Sequence, residues 1–319
     1  MSWRPSASLE ALKRRAGMLS SARDFFAQRG VLEVETPILS AGAVSDPQLE
    51  SLATRIAGLA GEFYLQTSPE YAMKRLLAAG SGDIYQICKV FRDAERGRWH
   101  NPEFTMIEWY RLGFDDAALM DEVEALVAKL LRPQRQLESA ERLSYSAALE
   151  RHAGVDAHQS SEAQLTAAAQ AHGIVCDAHL DRDAKLDLLM ALIVGPQLGL
   201  GRPCFICDYP ASQAALARVK PGLPAVAARF ELYLDGVELA NGFHELQDAA
   251  EQRRRFDNDQ KLRAERGLPQ RPLDERLLTA LEAGLPECAG VALGFDRLVA
   301  LALRADALAD AIAFPLDIA

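Results

Sequence analysis

The chain has 319 residues, 49% of them hydrophobic, which is enough for one large domain or two ordinary ones around a buried core. Its 45 acidic residues outnumber 35 basic ones, and the net charge of −10 argues against a broad nucleic-acid surface, since phosphate neutralisation supplies most non-specific affinity. No apolar run reaches the roughly 18 residues of a membrane span, Met-Ser-Trp-Arg-Pro at the start lacks the apolar core of a signal peptide, and five scattered cysteines form no disulfide framework, so a cytoplasmic globular protein with no membrane partner is expected.

In chain order, Leu9, Leu12, Ala16, Leu19 and Phe26 keep near-helical spacing and predict a helix from about Ser8 to Arg29, ended by Gly30. The alternation over 31–36 predicts a strand closed by Pro37. After loop and short strand over 40–62, Phe63 to Gln66 predicts a strand running into Thr67-Ser68-Pro69-Glu70. Ser68 there suits an N-cap and Pro69 the first position of a helix through Leu77; Glu70 is favoured by the helix dipole whatever else it does. Asp83 to Arg92 and Glu103 to Arg111 predict an antiparallel pair joined by a long charged loop over 93–102, and loops of that length at a strand end tend to carry function. Phe104, Met106, Glu108 and Tyr110 share one face of the second strand. A carboxylate beside a phenol there makes a cation pocket; the alternative is an edge strand whose Glu108 pairs with an arginine.

From about Asp115 to Pro196 the pattern is helical and alanine-rich, with no chemistry in view. His152, His158, His172 and His179 never approach metal-ligand spacing and are expected at the surface. Cys204 and Cys207 have redox or metal-ligand spacing, but in a strand-like run i and i+3 face opposite ways, so both are expected to be buried thiols. Asp235-Gly236, set between the alternating runs of Phe230 to Ala240, is the strongest local signal in the chain, because both central residues of a type I′ turn need φ > 0. That turn pairs Leu234 with Val237, Tyr233 with Glu238 and Glu231 with Ala240, and puts Glu231 and Glu238 diagonally on one face. Diagonal neighbours lie about 7–8 Å apart, close to what two carboxylates need to hold Mg²⁺ together with substrate phosphates. The other reading is two solvated glutamates on an open sheet face. A charged helix to about Arg266, a loop over 267–272 and a helix from Asp274 to Ala283 follow. Gly290 to Arg297 predicts a glycine-containing strand leading into a C-terminal helix through about Leu308. Arg297 in that helix's first turn is opposed by the dipole, which marks it as a candidate anion ligand.

Together these stretches resemble the class II aminoacyl-tRNA synthetases. Arg92 with its loop and Phe104 is similar to their motif 2, Gly290 to Arg297 to motif 3, and Gly30 to Leu39, with Thr36-Pro37, to motif 1. The similarity is closest to lysyl-tRNA synthetases, in His100-Asn-Pro-Glu-Phe-Thr-Met-Ile-Glu-Trp-Tyr110 and Glu238-Leu-Ala-Asn-Gly-Phe-His-Glu245. It extends to their free-standing relatives, the elongation factor P (R)-β-lysine ligases, through Thr67 to Tyr71, Met73 to Leu77, Pro210 to Ala214 and Gly290 to Gly294.

The resemblance implies an α+β fold: a class II synthetase catalytic domain, an antiparallel β-sheet flanked by helices, spanning 1–319 with a mostly helical insertion at about 115–200. Only about eight residues precede the first helix, so no anticodon-binding domain and no tRNA substrate are expected. The implied reaction consumes ATP, with Mg²⁺, to activate (R)-β-lysine as an adenylate, and transfers the acyl group to a lysine side chain of elongation factor P. Arg92 and Arg297 would be the catalytic pair, on the α-phosphate and the γ-phosphate end. Asp93, Ala94, His100, Asn101, Phe104, Glu238, Leu239 and Gly294 would complete the ATP site, with Phe104 under adenine, and Glu231 and Glu238 would hold Mg²⁺. Glu108, Tyr110 and Glu245 would bind the ε-ammonium. Ser68, Pro69 and Glu70 would hold the other amino group, with Asn241, Phe243 and Ala292 around them. Motif 1 implies a homodimer.

Two positions depart from the pattern: Ala94 stands where motif 2 carries glutamate, with Glu95 next to it, and Ala292 stands where lysyl-tRNA synthetases carry glycine. By the resemblance, the added methyl group at the pocket floor would shift preference from α-lysine towards an isomer with its amino group one carbon along, an effect of about 1–3 kcal/mol. A truncated lysyl-tRNA synthetase, a non-catalytic regulatory paralogue and an amide synthetase for another small amine are the competing readings.

Overall fold

The computed structural model describes residues 3–132, 134–177 and 179–319. They divide into two units, one formed by Met1–Gly113 with Leu246–Ala319 and the other by Phe114–Glu245. In the first unit Ser8 caps helix α1 (Leu9–Ala27), its hydroxyl accepting from the Ala11 amide at 3.1 Å, and Gly30 at φ 67° ends the turn that follows. The predicted strand over 31–36 shrinks to β1 (Leu32–Glu33). Strands β2 (Leu39–Ser40), β3 (Ala53–Thr54) and β4 (Phe63–Leu65) form a small antiparallel sheet with β4 in the middle. Helix α2 (Glu70–Ala78) starts one residue later than expected, at Glu70 and not Pro69.

Strands β5 (Ile84–Phe91) and β6 (Glu103–Leu112) pair antiparallel from Ile84 opposite Tyr110 to Phe91 opposite Glu103, and β1 joins β5 in parallel. Phe26 of α1 stacks on Tyr85 with ring centroids 4.2 Å apart and meets Trp109 edge-on at 5.3 Å, which docks the helix on these two strands.

The second unit opens with α3 (Asp116–Leu131), capped by Asp115. The stretch read as wholly helical contains one strand, β7 (Glu141–Ser144), paired in parallel with β8 (Cys204–Pro210). Four residues give too short a period-two signal to stand out between helices. Helices α4 (Tyr145–Ala153), α5 (Glu162–Ala171) and α6 (Arg182–Leu189) bury Leu149, Leu165, Leu186 and Leu189 in one cluster with Ile206 of β8. Strand β10 (Val226–Leu234) lies between β8 and β11 (Val237–His244), both antiparallel to it, and the short β9 (Val219–Lys220) pairs with its start.

The chain then returns to the first unit with α7 (Ala249–Glu265), α8 (Glu275–Gly284), β12 (Cys288–Gly294) and α9 (Phe295–Leu303). Strand β12 pairs antiparallel with β6, so β6 is an inner strand and not an edge. Helix α9 stops at Leu303, five residues before the predicted end, where Arg304 turns left-handed at φ 53°. Both units set helices against antiparallel-dominated strands, the α+β arrangement expected. Among the described residues no helix is long and apolar enough to cross a membrane.

Candidate active site

Glu108 lies in the middle of β6 and is 2% exposed. The Tyr110 hydroxyl donates to its Oε1 at 2.7 Å and the Ser68 hydroxyl to its Oε2 at 2.7 Å. Ser68 also accepts from the Glu70 amide at 3.0 Å, as a serine before a helix does, so one hydroxyl ties the helix start to the carboxylate. Glu70 is held one turn on by the buried Lys74 at 2.7 Å. Across the sheet Ala292 is opposite Glu108, Gly290 opposite Tyr110 and Gly294 opposite Met106. The Ala292 methyl group therefore stands beside the Glu108 side chain, within the about 4.5–5.5 Å of a directly opposed pair.

The two motif arginines sit in the same unit. The Arg92 guanidinium lies over the Phe104 ring, 5.1 Å from its centre, with Nε donating to the Thr67 carbonyl at 3.4 Å and Nη1 beside Glu95 at 3.4 Å. Beyond it the Asp93 carboxylate accepts from the Ala94 amide at 2.8 Å, and Ala94 is left-handed at φ 60°, a strained position for an alanine. Arg297 is fixed through its neighbour: the buried Asp296 pairs with Arg15 at 2.6 Å and accepts from the Thr105 amide at 2.9 Å, anchoring the first turn of α9. Arg297 Nε donates to the Trp99 carbonyl at 3.2 Å, and Nη2 lies 2.7 Å from His100 Nε2. Burial, then the Arg297 charge, lowers the His100 pKa, which keeps that nitrogen an acceptor. Asn101 is turned to the chain itself, its Oδ1 accepting from the Leu316 amide at 3.1 Å and its Nδ2 donating to the Glu103 carbonyl at 2.6 Å.

In the second unit Asp235 and Gly236 have φ of 51° and 76°, as the type I′ turn requires, and Leu234 and Tyr233 pair with Val237 and Glu238 as expected. The pairing of Glu231 with Ala240 does not occur. A register shift between Leu232 and Tyr233 leaves Leu239 as the extra residue on β11, so Leu232 faces Ala240 and Glu231 faces Asn241. Glu231 and Glu238 keep their common face, because Glu238 faces Tyr233 and β10 alternates regularly from 231 to 233. The bulge brings Asn241 and Phe243 onto that face as well; without it, period-two alternation would turn them away. Leu239 is buried at 2% exposure and Glu245, just past the strand, at 1%.

The surroundings of Glu231 hold groups the sequence reading missed. Arg229 Nη2 donates to Glu231 Oε1 at 2.6 Å and the Tyr233 hydroxyl to Oε2 at 2.7 Å. Arg229 also reaches Asn241 Oδ1 at 3.3 Å and the Gln213 carbonyl at 3.0 Å, with its guanidinium 4.3 Å over Tyr209. Burial opposes the Arg229 charge, yet Glu231 outweighs it and raises the pKa; burial and then Glu231 raise that of Tyr233. The signal was available: 229, 231 and 233 share a face by alternation. Glu231 and Glu238 are the donor set Mg²⁺ takes when phosphates supply the rest of its shell. No group of three or more His, Cys, Asp or Glu able to hold a metal occurs among the described residues.

Residues 1–318 match the family of tRNA synthetases class II (D, K and N). The chain is 52% identical to the elongation factor P--(R)-beta-lysine ligase of Erwinia tasmaniensis, over 99% of this chain and 98% of that protein. Proteins of the same name from Salmonella dublin and Salmonella paratyphi B are each 51% identical over the same shares. Matched by the family model over residues 1–318 and by these relatives almost end to end, this chain belongs to the class II tRNA synthetase family, in its elongation factor P (R)-β-lysine ligase branch.

Proposed function

We propose that the protein is an ATP-dependent ligase that activates (R)-β-lysine and transfers it to a lysine side chain of elongation factor P in the cytoplasm. The observation that carries the reading is Glu108, a buried carboxylate whose two oxygens are aimed by Tyr110 and Ser68. The two hydroxyls fix where its oxygens point, and a fixed, buried carboxylate is what a receptor for a substrate ammonium needs. Within the first unit Glu108 and Tyr110 serve the ε-ammonium, Ser68, Pro69 and Glu70 serve the other amino group, and the Ala292 methyl favours the β-isomer.

In the first step a carboxylate oxygen of the amino acid attacks the α-phosphorus of ATP and pyrophosphate leaves. Arg92 meets the charge that builds on the α-phosphate and Arg297 holds the γ-phosphate end, so catalysis is positioning plus charge stabilisation. Neutral His100 keeps Arg297 in place while Phe104 stacks on adenine. Asp93, Ala94, Asn101, Leu239 and Gly294 shape the backbone around the nucleotide. Glu231 and Glu238 would hold Mg²⁺, which when bound neutralises phosphate charge. In the second step the ε-amine of the acceptor lysine attacks the acyl carbonyl of the adenylate, AMP leaves, and an amide results.

ATP–pyrophosphate exchange with (R)-β-lysine and with α-lysine, followed by transfer to elongation factor P and to tRNA, tests the reading. Exchange favouring the β-isomer and transfer to the protein are expected. No exchange with either acid would leave a binding paralogue, and transfer to tRNA alone a truncated synthetase. A homodimer formed through the motif 1 segment is also proposed, and a monomer on gel filtration would count against it.

A further inference from the structure

Arg263, on the last turn of α7, is wholly buried, and a guanidinium out of water must have its donors satisfied. It donates from Nε to the Pro269 carbonyl at 2.8 Å, from Nη1 to the carbonyls of Asp46 at 3.1 Å and Leu49 at 3.4 Å, and from Nη2 to the Glu50 carboxylate. Residues 45–50 have no strand or helix of their own, so Arg263 supplies the partners that secondary structure would otherwise give. One turn earlier on α7, Asp259 accepts from the Ser45 hydroxyl at 2.7 Å and holds the other end of the strap. Arg271 closes on the remaining Glu50 oxygen, its Nε at 2.8 Å.

What the strap holds in turn is the start of the motif 2 loop. The Glu50 carbonyl accepts from the Asp93 amide at 2.9 Å, one residue past Arg92. The residues on either side of that bond are fixed by others: the Phe91 amide donates to the Gln66 carbonyl and the Arg92 amide to the Pro102 carbonyl, each at 2.9 Å. The Asp93 bond is thus where the chain leaves the sheet, just before the left-handed Ala94.

We propose that Arg263 is a positioning residue for the nucleotide, acting through the 45–50 strap and the Glu50 carbonyl on the Asp93 amide and so on Arg92. The inference rests on the reading of Arg92 as an ATP ligand. Arg263→Lys keeps the charge but not the fork; Glu50→Gln keeps the carbonyl to Asp93 and weakens the clasp. In both, KM for ATP is expected to rise about fivefold to tenfold, the scale of one hydrogen bond, with KM for (R)-β-lysine within about twofold. The Asp93 amide should exchange with solvent about tenfold faster while unfolding stays cooperative. A rise in both KM values together, or an Asp93 amide that exchanges at the wild-type rate, overturns the proposal. If Arg263→Lys does not fold, Glu50→Gln decides on the same two readings. Arg92→Ala separates the premises: an unchanged KM for ATP there defeats the role of Arg92, while Asp93 exchange still decides whether Arg263 sets the loop.

Discussion

Glu108 in β6 and Glu231 in β10 each take a hydrogen bond at 2.7 Å from a tyrosine two residues further along the same strand, Tyr110 for one and Tyr233 for the other. Both are buried, at 2% and 7% exposure. Their second oxygens part company. Glu108 accepts there from the Ser68 hydroxyl, Glu231 from the Arg229 guanidinium at 2.6 Å. A hydroxyl aims the oxygen with a neutral dipole; a guanidinium meets it with a full charge. The same Glu-x-Tyr device is completed by a hydroxyl in one unit and by a guanidinium in the other, and the proposed roles differ with it: a substrate cation at Glu108, a metal with its phosphates at Glu231.

The widest test of that difference is Glu108→Gln against Glu231→Gln. The first keeps the shape and removes the charge, and kcat/KM for (R)-β-lysine in pyrophosphate exchange should fall at least about 100-fold, as for a lost buried charge pair, with KM for ATP within about twofold. Glu231→Gln should instead raise the Mg²⁺ concentration needed for half-maximal exchange and leave KM for the amino acid nearly unchanged. Equal effects on amino acid and metal in both variants would break the comparison.

Arg229→Met comes next, read as stability. It strands Glu231 in a buried site without its guanidinium, which costs about 3–5 kcal/mol and lowers the urea midpoint accordingly. Arg229→Met with Glu231→Leu should recover most of that loss, because a buried ion pair replaced whole by apolar groups is close to neutral.

The sheet face of Glu108 was legible because the period-two pattern in β6 runs unbroken from Phe104 to Tyr110, and the turn at Asp235-Gly236 because only special residues take its dihedrals. The bulge at Leu239 was not. Nothing in Glu238-Leu-Ala-Asn marks which residue the ladder skips, since the choice is made by how β10 and β11 pack. A strictly alternating reading consequently put Ala240 where Asn241 stands and lost the link between Asn241 and Arg229. Ser68 was legible in part: its oxygen accepts from the Glu70 amide as a serine before a helix does, but its hydrogen goes to the Glu108 carboxylate, 40 residues away, which no local rule shows. Arg229 shares a face with Glu231 in the sequence, but its place over Tyr209 is set by the pairing of β10 with β8, which no local pattern shows.

The smallest expected effect comes from the tyrosines themselves. Tyr110→Phe leaves Glu108 with the neutral Ser68 donor, so the carboxylate loses aim, and kcat/KM for the amino acid should fall about tenfold, one hydrogen bond's worth. Tyr233→Phe leaves Glu231 in its charge-assisted bond to Arg229, which alone fixes the carboxylate, so exchange should change less than about threefold. Titration adds an independent reading. Burial first and then Glu231 raise the Tyr233 pKa well above its ordinary value, so the native protein keeps that proton to higher pH than the unfolded chain does. The stability this confers is complete below about pH 10 and is lost as pH climbs from there towards the native value, because the unfolded phenol ionises first. Wild-type protein should accordingly lose its advantage over Tyr233→Phe in urea unfolding above about pH 10, and hold it constant below. If Tyr233→Phe damages exchange as much as Tyr110→Phe does, the guanidinium is not what holds Glu231, and the two carboxylates are finished alike after all.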